Sequence, residues 1–303
     1  MSFFEPSLSF RSGPSGGSVV SPPVRSPLSG VLAGTGAIVL LVHGYNNDQA
    51  DASAAYTAFL DRQRDIGPIR DKMVAVYWPG DNWEGGLHYT RAIPKAKATA
   101  RALADEVRRA VAANGYLRVK VLAHSLGCRV TLEMLRELSH NRPPTLVVER
   151  FVLMAAAVAT SAVSSGRPLR QALDAMSLVP FMSLYSPEDP VLAFAFPAGQ
   201  ALAGEGFFPR ALGHDHWSGP SAVSPPRLTQ RRATQARHGH YWGGSRETLP
   251  VPVNEWIRQF LDIGVPPPRS VPARLTEVRV MEDPRTVAAR VVGARTTPAR
   301  AVA

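Results

Sequence analysis

Val119-Lys120-Val121-Leu122-Ala123 runs directly into His124-Ser125-Leu126-Gly127. The chain then places Gly127, Val130, Met134, Leu135 and Leu138 on one helical face. An apolar run of this kind reads as a strand buried on both sides, and the spacing after it is that of an amphipathic helix. The same succession occurs twice upstream. Ala37–Val42 is continuously apolar, and residues 50–64 follow with helical composition. Residues 73–78 form a second apolar run, stopped by Pro79-Gly80; Ala96, Ala100, Leu103, Val107 and Val111 then recur at helical spacing before Asn114-Gly115. Residues 147–155 and Phe181–Tyr185 read as two more strands, and Val253–Leu261 as a closing helix. This order predicts an α/β fold: a mostly parallel central sheet with helices on both faces. Only about 25 residues separate the last two strands, which leaves no room there for a large lid domain. Ligands of such sheets bind beyond the carboxyl ends of the strands, so the loops that follow the strands should hold the chemistry.

The 303 residues suffice for one large domain with tails. Residues 1–36 contain nine Ser, five Pro and six Gly, a composition that predicts a flexible leader. Residues 37–263 form the predicted domain. Residues 264–303 open on Pro266-Pro267-Pro268 and are expected to be a largely disordered, Pro- and Arg-rich tail. The net charge is +10, spread as +1, +5 and +4 over these three parts. Dispersed charge with no recognisable motif argues against nucleic acid as a partner. No apolar stretch approaches the roughly 20 residues that span a bilayer, so no membrane insertion is expected. A single cysteine excludes an internal disulfide. The expected setting is cytoplasmic, and the sequence does not indicate an oligomeric state.

Ser125 sits where a strand turns sharply into a helix. Such a turn exposes a hydroxyl but crowds the positions two before and two after it, here Ala123 and Gly127. A helix N-cap is the plainer use of this serine; the strand–turn–helix setting favours a nucleophile. After the first strand, His43-Gly44-Tyr45-Asn46 could supply a main-chain donor for an oxyanion, the amide of Tyr45, to join that of Leu126. The fifth predicted strand ends in Ser186-Pro187-Glu188-Asp189, where Asp189, with Glu188 as competitor, could orient a histidine. Arg237-His238-Gly239-His240-Tyr241-Trp242 lies just before the closing helix. It offers His240 as the base and His238 as the alternate, because residues two apart in an extended loop point in opposite directions. His214, Asp215 and His216 lack a further spaced ligand set, so no metal is expected. Trp78, Trp83, Leu87 and Tyr89 could line an acyl pocket. The acid-free segment 217–246, with five arginines, reads as a solvated loop.

These residues resemble the α/β-hydrolase superfamily, and more narrowly a bacterial group of α/β-hydrolases of unknown function. The likeness rests on the His43 to Asn46 loop, the Ala123 to Gly127 elbow, the Tyr185 to Asp189 acid strand and the Gly239-His240-Tyr241 ending. It implies an α/β-hydrolase fold and a cofactor-free serine hydrolase acting on a small-molecule acyl substrate. Ser125, Asp189 and His240 would be its triad, and Tyr45 and Leu126 its oxyanion hole. The alternatives are a non-catalytic binding protein on the same fold and an acyltransferase with the same triad.

Overall fold

The computed structural model describes residues 4–24, 28, 37–81, 89–204, 208–217, 227–243 and 249–264. Among the described residues, seven parallel strands form one sheet: β1 (Ser7–Ser9), β2 (Ala37–Val42), β3 (Lys72–Tyr77), β4 (Leu117–His124), β5 (Leu146–Met154), β6 (Phe181–Tyr185) and β7 (Leu228–Arg232). Their spatial order is β1-β3-β2-β4-β5-β6-β7. The helices are α1 (Gln49–Ile66), α2 (Tyr89–Asn114), α3 (Gly127–His140), α4 (Pro168–Ala175), α5 (Phe196–Leu202) and α6 (Val253–Leu261). Helices α1 and α6 pack together, while α2, α3 and α4 pack in series. This is the layered arrangement that the alternating pattern predicts. Among the described residues, no helix is long and apolar enough to cross a membrane.

Local chemistry sets the element ends. Asp48 caps α1, its Oδ1 accepting from the amides of Ala50 (2.7 Å) and Asp51 (2.9 Å). Gly115, at φ +74°, ends α2 in the left-handed conformation, and its N–H donates to Val111 O (2.7 Å). Ala96, Ala100, Leu103, Val107 and Val111 are all buried on the inner side of α2, and β2 is solvent-free from Ile38 to Val42.

Two strands and the leader depart from the sequence expectation. Residues 4–24 are not a loose leader. Pro6 O accepts from the Ala75 amide (3.0 Å), and the Phe10 amide donates to Tyr77 O (2.8 Å), so the segment adds an edge strand. Phe4, Leu8 and Phe10 are buried. The buried Arg11 guanidinium donates to the carbonyls of Gly13 (3.0 Å), Pro14 (3.0 Å) and Trp78 (2.9 Å) and pairs with Asp81 (2.7 Å). Ser/Pro/Gly composition misleads here because main-chain pairing, one buried cation and three separated apolar side chains, Phe4, Leu8 and Phe10, hold the segment without any continuous apolar run. At the opposite edge, β7 lies inside the segment expected to be a solvated loop. Its arginines are accommodated at the edge: Arg231 lies over the Trp256 ring (4.9 Å) and Arg232 pairs with Glu188. Of the tail 264–303, only Gly264 is among the described residues.

Candidate active site

The carboxyl ends of β2, β4 and β6, together with the loop after β7, converge on Ser125. Ser125 has φ +52°, in the left-handed region where a non-glycine residue is strained. The turn is held by its main chain: the Ser125 amide donates to Met154 O (2.9 Å), and Ser125 O accepts from Cys128 (3.0 Å) and Ala157 (3.2 Å). Close packing explains both flanking glycines. A Cβ on Gly127 would come 2.3 Å from His43 O, and one on Gly44 would come 2.7 Å from Ser125 Cβ. Only glycines let the β2 loop cross the elbow at this distance.

His238, not His240, reaches the serine. His238 Nε2 lies 2.8 Å from Ser125 Oγ, and Nδ1 lies 2.7 Å from Asp189 Oδ2. A carboxylate only accepts, so Nδ1–H donates to Asp189 and Nε2 is left to accept from the serine hydroxyl. Asp189 is fully buried, and its Oδ1 accepts from the amides of Val191 (3.0 Å) and Leu192 (3.2 Å), which fixes the carboxylate plane. Glu188 faces outward, bonded to Ser186 Oγ (3.0 Å) and to Arg232.

His240 departs from the expectation because the loop is not extended. Gly239 is at φ −87°, ψ −3°, and His240 opens a 3₁₀ turn, His240–Trp242. Its Nδ1 accepts from the Arg237 amide (3.3 Å), and the side chain lies by Arg62, Gly243 and Asn254 at a separate cavity. Tyr241 and Trp242 are buried and anchor the loop. Trp242 packs edge-on against Tyr56 (5.3 Å) and Phe59 (5.9 Å). The helical turn before those anchors swings His238 inward.

Two further histidines hold the frame. His43 Nε2 accepts from the Trp78 amide (3.2 Å), so Nδ1 carries the proton and donates to Gly44 O (2.9 Å). Burial lowers its pKa to about 4, which keeps the ring neutral. Trp78 stacks on it (5.5 Å) and donates through Nε1 to His43 O (2.9 Å), so Trp78 braces the loop instead of lining a pocket. Trp83 and Leu87 lie outside the described residues, as does the side chain of Tyr89. Burial, and secondarily the neighbouring His238, lower the His124 pKa to about 3. Its neutral ring donates from Nε2 to His238 O (2.7 Å). The Cys128 thiol is buried, which pushes its pKa well up, and it donates to Ala123 O (3.4 Å). His214 bonds to Asp215 (3.1 Å), and His216 lies 3.1 Å from Gln230 Nε2. No group of three or more His, Cys, Asp or Glu among the described residues is arranged to hold a metal ion.

A cavity of about 330 Å³ opens onto Ser125 and His238. Tyr45, Asn46, Ala157, Val191, Leu192, Ala195 and Phe196 line it. The wall from 191 to 196 was not anticipated from the sequence. Its signal was the uncharged run that begins just after Asp189. Leu126 sits at the start of α3, where the first amides have no intrahelical acceptor.

A family model described as alpha/beta hydrolase of unknown function (DUF900) matches residues 31–195. The chain belongs to that family. The matched span of this alpha/beta hydrolase includes Tyr45, Ser125 and Asp189 and ends before His238. Among solved structures, the hydrolase is similar to TT1662 from Thermus thermophilus, at 16% identity and a TM-score of 0.43, over 75% of this chain and 87% of that one. It is also similar to bromoperoxidase from Bacillus anthracis, at 13% identity and a TM-score of 0.41, over 76% of this chain and 93% of that one. No curated protein matches it in sequence.

Proposed function

We propose that this alpha/beta hydrolase is a serine hydrolase that cleaves an ester or related acyl bond of a small molecule through an acyl-enzyme. The observation that carries the reading is the unbroken chain from Ser125 Oγ through His238 to the buried Asp189 carboxylate, at 2.8 and 2.7 Å. A serine hydroxyl becomes a useful nucleophile when an adjacent base takes its proton as it attacks. His238 Nε2 takes that proton while Ser125 Oγ bonds to the acyl carbon. Asp189 stabilises the imidazolium that forms. The amides of Leu126 and Tyr45 are the proposed donors to the oxyanion. The bond to the alcohol then breaks, and His238 returns the proton to the departing oxygen. A water, deprotonated by His238, attacks the acyl carbon; the acid leaves and Ser125 recovers its proton. Each step uses side chains and main-chain amides of this chain.

The test is fluorophosphonate labelling with peptide mapping, beside turnover of a p-nitrophenyl ester. Labelling is expected at Ser125, and Ser125→Ala should abolish both labelling and turnover while the fold persists. Undiminished turnover by purified Ser125→Ala would remove Ser125 from the mechanism.

A further inference from the structure

The segment following Asp189 has its polarity reversed. From Val191 to Gly204 there is no ionisable side chain, and the one polar side chain, Gln200, is fully buried. Three of its larger apolar side chains face water instead: Phe194 is 77% exposed, Leu202 65% and Val191 40%. The segment is a one-turn π-helix, Val191–Ala195, that continues into α5. Val191, Phe194, Ala195, Ala198 and Leu202 are its exposed positions, spaced as one outward helical stripe. Leu192 and Phe196 point the other way and line the cavity that holds Ser125. Scattered exposed apolar residues are ordinary, but a charge-free stripe that also forms the wall of a catalytic cavity is not.

The cavity itself is small. At about 330 Å³ it lies near the lower end of the range of small-molecule sites. Val191 and Ala195 belong to both the inner wall and the outer stripe, so they join the cavity to the exposed face along which a longer aliphatic chain can continue. A charged or strongly hydrated group leaving by that route would find no exposed polar side chain on this segment to bind it.

We propose that the hydrolase takes esters whose acyl chain outgrows the cavity, and that the stripe through Val191, Phe194 and Leu202 seats the emerging part of that chain. This rests on Ser125 acting as the acyl-accepting nucleophile. The occupant is the acyl chain of a single substrate molecule, not its alcohol and not a lipid aggregate.

The experiment compares kcat/KM for p-nitrophenyl butyrate, octanoate and decanoate, each kept below the concentration at which it aggregates. The enzymes are the full-length chain, Phe194→Ser/Leu202→Ser, and Leu178→Ser as a control. Leu178 is also exposed but lies before β6, at the other end of the sheet. A buried methylene is worth about fourfold in kcat/KM, and a methylene covered on one side about twofold. The decanoate-to-butyrate ratio is therefore expected to exceed one in the wild type. It should fall roughly tenfold in the double variant and stay unchanged in Leu178→Ser. An unchanged ratio in the double variant overturns the proposal. So does a preference that follows alcohol length in an acetate ester series, or a gain seen only once the ester aggregates. Rates of Ser125 labelling by ethyl and decyl fluorophosphonates give the same ratio without turnover. If neither reagent labels Ser125 and no ester is hydrolysed, the proposal falls together with the assignment of Ser125, an outcome distinct from an insensitive ratio.

Discussion

His124 Nε2 lies 2.7 Å from the carbonyl oxygen of His238, so the residue before the candidate nucleophile holds the main chain of the candidate base. The ring that makes this bond is neutral, its pKa lowered to about 3 by burial and by His238 nearby. The bond joins the end of β4 to a loop 114 positions further along the chain.

Replacing that donor should loosen the base without touching the reacting atoms. His124→Phe keeps an aromatic ring but leaves the His238 carbonyl unpaired. On the proposed mechanism kcat should drop by about 10- to 100-fold with KM little changed, since small misplacements of reacting groups are costly. His124→Gln, which can still donate, should recover part of the loss. Equal losses in both variants, matched by equal losses of thermal stability, would mean that His124 serves only to pack.

The two histidines of the late loop should separate cleanly. His238→Ala is expected to lose roughly three or more orders of magnitude in turnover of an ester that Ser125 cleaves. His240→Ala, whose ring faces a different cavity, should stay within a few-fold of wild type. Purified variants assayed side by side decide the matter, and the reverse ranking would rule out His238.

Acid should unfold this protein through its buried neutral histidines. In the unfolded chain each titrates near 6.5, whereas the folded pKa is about 4 for His43 and about 3 for His124. The unfolded state therefore binds more protons below pH 6.5. Stability is full above that value and declines as pH falls through 6.5 toward 4, and toward 3 for His124. The loss from His43 alone amounts to roughly 3 kcal/mol. Urea midpoints between pH 8 and pH 4.5 should shift accordingly in wild type and shift less in a folded His43→Asn variant.

The N-terminal segment should matter for stability. Arg11→Ala leaves Asp81 buried without its cation and uncaps the Trp78 carbonyl, which should cost about 3–5 kcal/mol. Deleting residues 1–24 removes β1 as well and should lower the melting temperature at least as far. Calorimetry of the three proteins provides the check, and an unchanged melting temperature in both variants would show that the segment contributes nothing to stability.

The central strands and the elbow were legible in the sequence because they depend on short-range pattern. A strand buried on both faces must be apolar throughout, as at 37–42, or nearly so, as at 119–123, where the one charge, Lys120, pairs with Asp71, and a tight strand-to-helix turn must have small neighbours, as at Ala123 and Gly127. The order of serine, acid and late histidine could likewise be read along the chain. Three things needed the tertiary structure. The edge strands β1 and β7 carry serines and arginines because an edge needs only one partner's hydrogen bonds, so neither shows the apolar signature. The choice of His238 over His240 turned on a helical turn at Gly239, set by where Trp242 docks on Tyr56 and Phe59, far away in sequence. The cavity wall from Val191 to Phe196 has the composition of any core helix. Only its packing shows that one side faces Ser125 while Phe194 and Leu202 face water.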